Sequence, residues 1–234
     1  MSIYKFRQAP PQASAMIEAL RGLGYTSASA LADVIDNSIA AKAQKVELTF
    51  YWDSKEPYKS YISILDDGSG MDETGLDRAM RLGEKSPLEQ REPSDLGRFG
   101  LGLKTASFSQ CRSLTVSSKK NKAISCLRWD LDILAETEDG GWHLLEGSAI
   151  GSEILLEPLS RQAHGTMVLL EKLDRIVTPG SNEQDFLDLI DSIEKHLSMV
   201  FHRYLEGPRP KIKISINGKP LSSWDPFLSA HPAT

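Results

Sequence analysis

The sequence predicts an α+β fold of two layers, an antiparallel or mixed sheet with helices on one face. Three observations predict it. Val46, Leu48 and Phe50 alternate with polar residues, the period of a half-buried strand. Residues 114–118 and 123–129 flank the polar run KKNK, which reads as a hairpin. Residues 186–204 place Leu187, Ile190, Ile193, Leu197 and Phe201 on one face of a long helix. Helices and strands are mixed without strict βα alternation, and that pattern favours two layers over a doubly wound parallel sheet.

The other elements follow in chain order. Residues 12–22, with Ala15, Ile17, Leu20 and then Leu23, predict a short amphipathic helix ending near Gly22 and Gly24. Thr26 or Ser27 caps a second helix that runs to about Lys42. The strand through Val46 is followed by a second, 61–65, which runs into DDGSG. Helical spacing returns at 73–82 through Leu76, Met80 and Leu82. Residues 83–100, GEKSPLEQREPSDLGRFG, hold two prolines and three glycines among many charges, so they predict a long mobile loop. A helix is expected over 101–110 and two or three strands over 141–174, the last at 165–171. A strand at 211–216 ends in the tight turn Asn217-Gly218. Residues 221–234 read as an irregular tail, or as the beginning of a region the sequence does not contain.

Composition narrows the function classes. Charged residues make up 25% and apolar residues 40%, which excludes wholesale disorder. Two cysteines without metal-ligand spacing exclude a disulfide scaffold and a zinc ribbon, and point to a reducing compartment. The longest wholly apolar run is 167–170, too short for a membrane span, and the N-terminus lacks the apolar segment of a secretion signal. The expected location is cytoplasmic. A net charge of −5 shows that the chain as a whole is no basic nucleic-acid binder.

Four motifs carry the chemistry. In ALADVIDNSIAA, Leu31, Ile35 and Ile39 share one helix face with Ala28. Asp33, Asp36, Asn37 and Ala40 share another, an oxygen-rich patch closed by a small residue. Such a patch suits magnesium beside substrate phosphates, though a merely solvated helix face has the same pattern. DDGSGMD, 66–72, brings carboxylates and two glycines to a strand end, where a carboxylate can accept from an exocyclic amine; a simple Asp-Gly turn is the alternative. GRFGLGLKTAS, 97–107, places three glycines and Lys104 at a helix start, a phosphate-binding arrangement or a plain hinge. Its spacing fits neither the P-loop nor the dinucleotide fingerprint. HGTMVLL puts His164, Gly165 and Thr166 at the start of an apolar strand, where the histidine reads as an ordinary loop residue.

In this order, with a long loop between the second and third, the motifs resemble the nucleotide-binding boxes of the GHKL superfamily. Its members include the gyrase B subunit, the ninety-kilodalton heat-shock chaperones, sensor histidine kinases, the MutL proteins and the MORC ATPases. The resemblance covers roughly residues 14–216 and is strongest to the MORC-like and chaperone-like branches, through IDNSI, the GRFGLGLKTAS string and Lys104. It implies a Bergerat-type sandwich over residues 1–220 that binds ATP with Mg2+. Asn37 is then similar to the magnesium-binding asparagine, with Asp36 supporting it or a water and Ala40 leaving room for close approach. Asp66 resembles the aspartate that reads the adenine amine, Gly68 and Gly70 let the base approach, and Met71 lines its pocket. Thr166 is similar to the threonine that joins Asp66 at adenine. Gly97, Gly100 and Gly102 match the phosphate-wrapping glycines; Arg98, Phe99, Leu101 and Thr105 of the same string are assigned to the nucleotide with them. Residues 83–100 resemble the ATP lid, and Lys104 a phosphate-facing lysine with a catalytic role. Asp33 stands where hydrolysing members usually carry a glutamate base.

The resemblance therefore implies a magnesium-dependent ATPase, slow because the base is short, used as a conformational or dimerisation switch. A non-catalytic nucleotide sensor or scaffold is the alternative. A histidine or serine protein kinase fits less well, since none of the 32 residues before Asp33 is a histidine. The chain is expected to be the N-terminal module of a longer protein, with a nucleotide-dependent homodimer, a nucleic acid or a protein client as partners and no membrane. The basic residues between Arg203 and Lys219, and Lys119, Lys120 and Lys122, suit nucleic acid or a solubilising surface.

Overall fold

The computed structural model describes residues 7, 9–22, 24–83 and 102–226. Leu23 and the site residues Gly97, Arg98, Phe99, Gly100 and Leu101 lie outside the described residues, as does all of the expected lid except Gly83.

Helix α1 (Ala13–Leu20) buries Ala13 and Ile17. Helix α2 (Ser27–Ala40) starts at Thr26, which decides the cap. The Thr26 hydroxyl accepts from the Ser29 N–H, and the Ser29 hydroxyl accepts from the Thr26 N–H. Strands β1 (Lys45–Tyr51) and β2 (Tyr61–Asp66) follow, then α3 (Glu73–Met80), capped by the Asp72 carboxylate. After α4 (Gly102–Phe108) comes a hairpin of β3 (Ser113–Lys120) and β4 (Ala123–Asp130). It is longer than KKNK suggests, because Asn121 and Lys122 both take positive φ and close it in two residues. Helix α5 (Leu131–Glu136) has no counterpart among the expected elements; the Asp130 side chain caps it through the Asp132 and Ile133 N–H groups. Strand β5 (Leu145–Glu146), a 3-10 turn (Glu153–Leu156) and α6 (Glu157–Ser160) lead to β6 (Gly165–Glu171).

Helix α7 (Glu183–Val200) begins earlier than expected because Asn182 and Asp185 form a capping box. It breaks before α8 (His202–Leu205). Leu187, expected on its buried face, is 47% exposed; Phe186 takes that place, packing edge-on to Phe50 and against Trp52. One residue is about 100° around a helix, enough to exchange the two faces. Strand β7 (Lys213–Ile216) turns through Asn217 and Gly218 into β8 (Lys219–Pro220).

Among the described residues eight strands form one sheet in the order β5-β4-β3-β6-β2-β1-β7-β8. Every neighbouring pair is antiparallel except β1 and β7. The two-layer α+β architecture expected from the sequence is therefore present. Val46, Leu48, Ile62, Ile64, Leu114, Val116, Val168 and Leu170 form the core layer beneath the helices, with Ile17, Leu31 and Ile35 against them. The opposite face is covered in part. There α6 contacts β3 and β6, and Thr115, Ser117, Met167 and Leu169 are buried. Among the described residues no helix is long and apolar enough to cross a membrane.

Candidate active site

The first, second and fourth motifs converge at one end of the sheet, and the described part of the third, α4, packs against α2. On α2, Leu31, Val34 and Ile35 are buried, while Asp33 and Asp36 are half-buried and Asn37 and Ala40 exposed. The helix thus buries its apolar stripe and turns its carboxylates and amide outward. Asn37 Nδ2 donates to the Asp33 carbonyl oxygen at 2.9 Å, which leaves Asn37 Oδ1 to face a cation. Burial, and then the nearby Asp33 charge, push the Asp36 carboxyl above the usual aspartate range.

Asp66 ends β2 with 6% exposure. Its Oδ1 accepts from the Gly68 N–H at 2.8 Å and the Thr166 N–H at 3.3 Å, and its Oδ2 from the Ser38 hydroxyl at 2.9 Å. A carboxylate has about four lone-pair positions, so three internal bonds leave one on Oδ2 for an incoming donor. Burial raises the Asp66 pKa, and the Gly68, Ser38 and Thr166 hydrogen bonds oppose the rise. The neighbouring Asp67 is structural: its Oδ1 accepts from the Gln44 and Lys45 N–H groups and pins the start of β1 to the end of β2.

The glycines serve close approach. A Cβ at Gly68 would sit 2.8 Å from both Ala41 Cβ and Asp66 Oδ1. At Gly70, where φ is +64°, it would sit 2.0 Å from the Lys119 carbonyl oxygen, so this glycine lets the loop lie directly on β3. Gly165 is required in the same way against the Asp66 carbonyl oxygen.

Several contributors carried no signal in the sequence. Ser118 Oγ accepts from the Met71 N–H at 2.8 Å and shares a 2.9 Å hydrogen bond with Thr166 Oγ1. His164 lies 2.6 Å from the Gly68 carbonyl oxygen, which only accepts, so Nδ1 carries the proton and donates. With its amide nitrogen turned towards the carbonyls, Gln162 donates to Asp66 and His164. Residues 162–166 thereby clamp 66–68. The Tyr25 hydroxyl donates to Asp33 Oδ2 at 2.8 Å. Lys104, expected to face phosphate, is 3% exposed and its ammonium donates to the Ala79 carbonyl oxygen at 2.7 Å, at the end of α3. Thr105, on the same short helix, donates to the Gly102 carbonyl oxygen at 3.4 Å.

A family profile described as histidine kinase-, DNA gyrase B-, and HSP90-like ATPase matches residues 25–166, more than half of the chain. The chain belongs to this ATPase family. The matched span of the ATPase domain opens at Tyr25, ends at Thr166 and includes every site residue proposed from the sequence. Among relatives, mouse ATPase MORC2B is 32% identical over 100 residues, 42% of this chain and 10% of that protein. Human ATPase MORC2 is 30% identical over 100 residues, 42% of this chain and 9% of that protein. Caenorhabditis elegans ATPase morc-1 is 29% identical over 99 residues, 42% of this chain and 11% of that protein. The chain spans about a tenth of the length of these curated relatives. Among the described residues no three His, Cys, Asp or Glu side chains converge as a metal cage. The donor set here suits a cation that takes most of its ligands from water and phosphate, as magnesium does.

Proposed function

We propose that this domain binds ATP with magnesium and hydrolyses it slowly, working as a conformational or dimerisation switch within a longer protein. The observation that carries the reading is Asp66, a buried carboxylate at a strand end with one acceptor position open beside a glycine floor. An adenine amine donates where this carboxylate accepts, and guanine presents a carbonyl oxygen there instead. Asp33 and Asn37 lie one turn apart on α2, on the face reserved for the phosphates. Asn37 would hold magnesium through Oδ1, with Asp36 supporting it or a water. When bound, the metal supplies charge neutralisation at the phosphates.

The chain's own groups do the rest. Asp33 takes the proton from the attacking water. Gly97, Gly100 and Gly102, with Arg98, Phe99, Leu101 and Thr105, would bring donors to the phosphates, while Lys104, buried with its ammonium on the Ala79 carbonyl oxygen, joins α4 to the end of α3 instead. The relatives are ATPases by name, which supports the reading. A second reading, a nucleotide sensor without turnover, is favoured by the short arm of Asp33.

A turnover assay decides between the two. Asp33→Asn should lower kcat by about 10²–10⁴-fold and leave ATP affinity within a few-fold, the worth of a positioned base. Asp33→Glu should turn over as fast as the wild type or faster. Full turnover in Asp33→Asn removes the base assignment. Sedimentation with a non-hydrolysable analogue and magnesium checks the switch: dimer is expected with the analogue and monomer without it.

A further inference from the structure

Resting on that reading of Asp33 as the base, we infer that Tyr25 is a positioning residue that holds the Asp33 carboxylate. The Tyr25 hydroxyl donates to Asp33 Oδ2 at 2.8 Å, so Oδ1 is the oxygen turned towards a water. The phenol is itself held. The Tyr25 backbone fixes its place. Tyr25 directly precedes the Thr26 cap, whose reciprocal bonds with Ser29 fix the direction of the chain entering α2. Two residues on, the Ser27 hydroxyl donates to Gln110 Oε1 at 2.6 Å and fastens the same segment just beyond α4. The phenol that holds Asp33 is therefore itself fixed at the entry to α2.

A lone aspartate on a helix swings about two torsions. General-base catalysis requires the carboxylate within hydrogen-bond reach of the water, and small misplacement is costly. Aspartate reaches one bond less far than glutamate, so fixing its orientation matters more here. Tyr25 supplies that fixation through its hydroxyl alone.

Tyr25→Phe keeps the ring and removes only the donor. In the full chain it should lower kcat about 10–100-fold, the range for losing one hydrogen bond to a charged group, with the affinity for a non-hydrolysable ATP analogue within about 3-fold. The melting temperature should stay close to the wild-type value. In an Asp33→Asn background, Tyr25→Phe should cause no further loss, because the carboxylate it orients is gone. Wild-type turnover in Tyr25→Phe, with Asp33→Asn inactive, overturns the inference and leaves the base assignment standing. Loss of affinity and melting temperature together with kcat overturns it as well, since that is a packing role. A wild type without turnover, or an Asp33→Asn variant with full turnover, overturns the base assignment and the inference together.

Discussion

Asp66 accepts three hydrogen bonds from its own chain and has room for a fourth. Asp66→Asn separates these roles. The amide oxygen can still face the Gly68 and Thr166 N–H groups, and the amide nitrogen can donate to Ser38. What it presents to an adenine amine is then a donor against a donor. ATP affinity should fall by about 1.5–3 kcal/mol, the range for a hydrogen bond to a charged group. Calorimetry showing equal ATP and GTP affinity in the wild type would sink the adenine assignment. The same residue sets a pH dependence. Burial raises the Asp66 pKa above 3.8, so the native chain takes up a proton where the unfolded chain has already lost it. The protonated carboxyl favours folding below 3.8, and that advantage is lost as pH rises through the raised native value. Binding follows the opposite sense, since the charged form accepts from the amine. ATP affinity should weaken as pH falls towards 3.8, and Asp66→Asn should lack this component.

At the scale of the element, the loop after β2 lies on β3 because Gly70 has no side chain. Its φ of +64° and the 2.0 Å approach of an added Cβ to the Lys119 carbonyl oxygen make two separate demands. Gly70→Ala should cost about 3 kcal/mol or more, combining left-handed strain with overpacking. The measurement is the urea midpoint at unchanged slope. A loss below about 1 kcal/mol would mean that the loop shifts away from β3 easily, against the tight packing seen here. Helix α7 shows the same dependence on contact. The stripe Ile190, Ile193, Leu197 and Phe201 is visible in the sequence, but only the aromatic packing against Phe50 and Trp52 selects Phe186 over Leu187.

At the scale of the molecule, the end of the sheet away from the Asp66 loop is joined by a charged network. Arg21, buried on leaving α1, pairs with Glu18 and Asp174 and donates to the Phe108 carbonyl oxygen that ends α4. Arg112 bridges Glu18 and Asp132, Lys172 bridges Asp130 and Asp132, and Arg128 pairs with Asp130. Most of these pairs are partly exposed and contribute little one by one. Arg21 and Asp130 are the buried members, each with a side chain 3% exposed. Arg21→Met keeps the stem and strands its partners. It should cost about 2–3 kcal/mol, below the value for a fully buried pair because Asp174 remains a third exposed. Chemical denaturation showing a change under about 0.5 kcal/mol would place the network among inconsequential surface charges.

The sequence by itself determined the layer architecture, the resemblance to the ATPase family and most of the strands along the chain. Period-2 and period-3.6 patterns, caps and glycine turns are local, so VELTF, the α2 face and DDGSG were legible without any contact being known. Tertiary structure alone decided who meets whom. Ser38 reaches Asp66 across 28 positions, Ser118 reaches Met71 across 47 and His164 reaches Gly68 across 96. Each is a single polar residue with no spacing that marks it. Helix α5 was missed for a related reason, since its cap, Asp130, reads as the end of a strand until the chain turns there. The physical cause is the same throughout. A hydrogen bond depends on the register of strands distant in sequence, and pairing β2 with β6 brings Asp66 opposite Thr166, which no window along the chain contains.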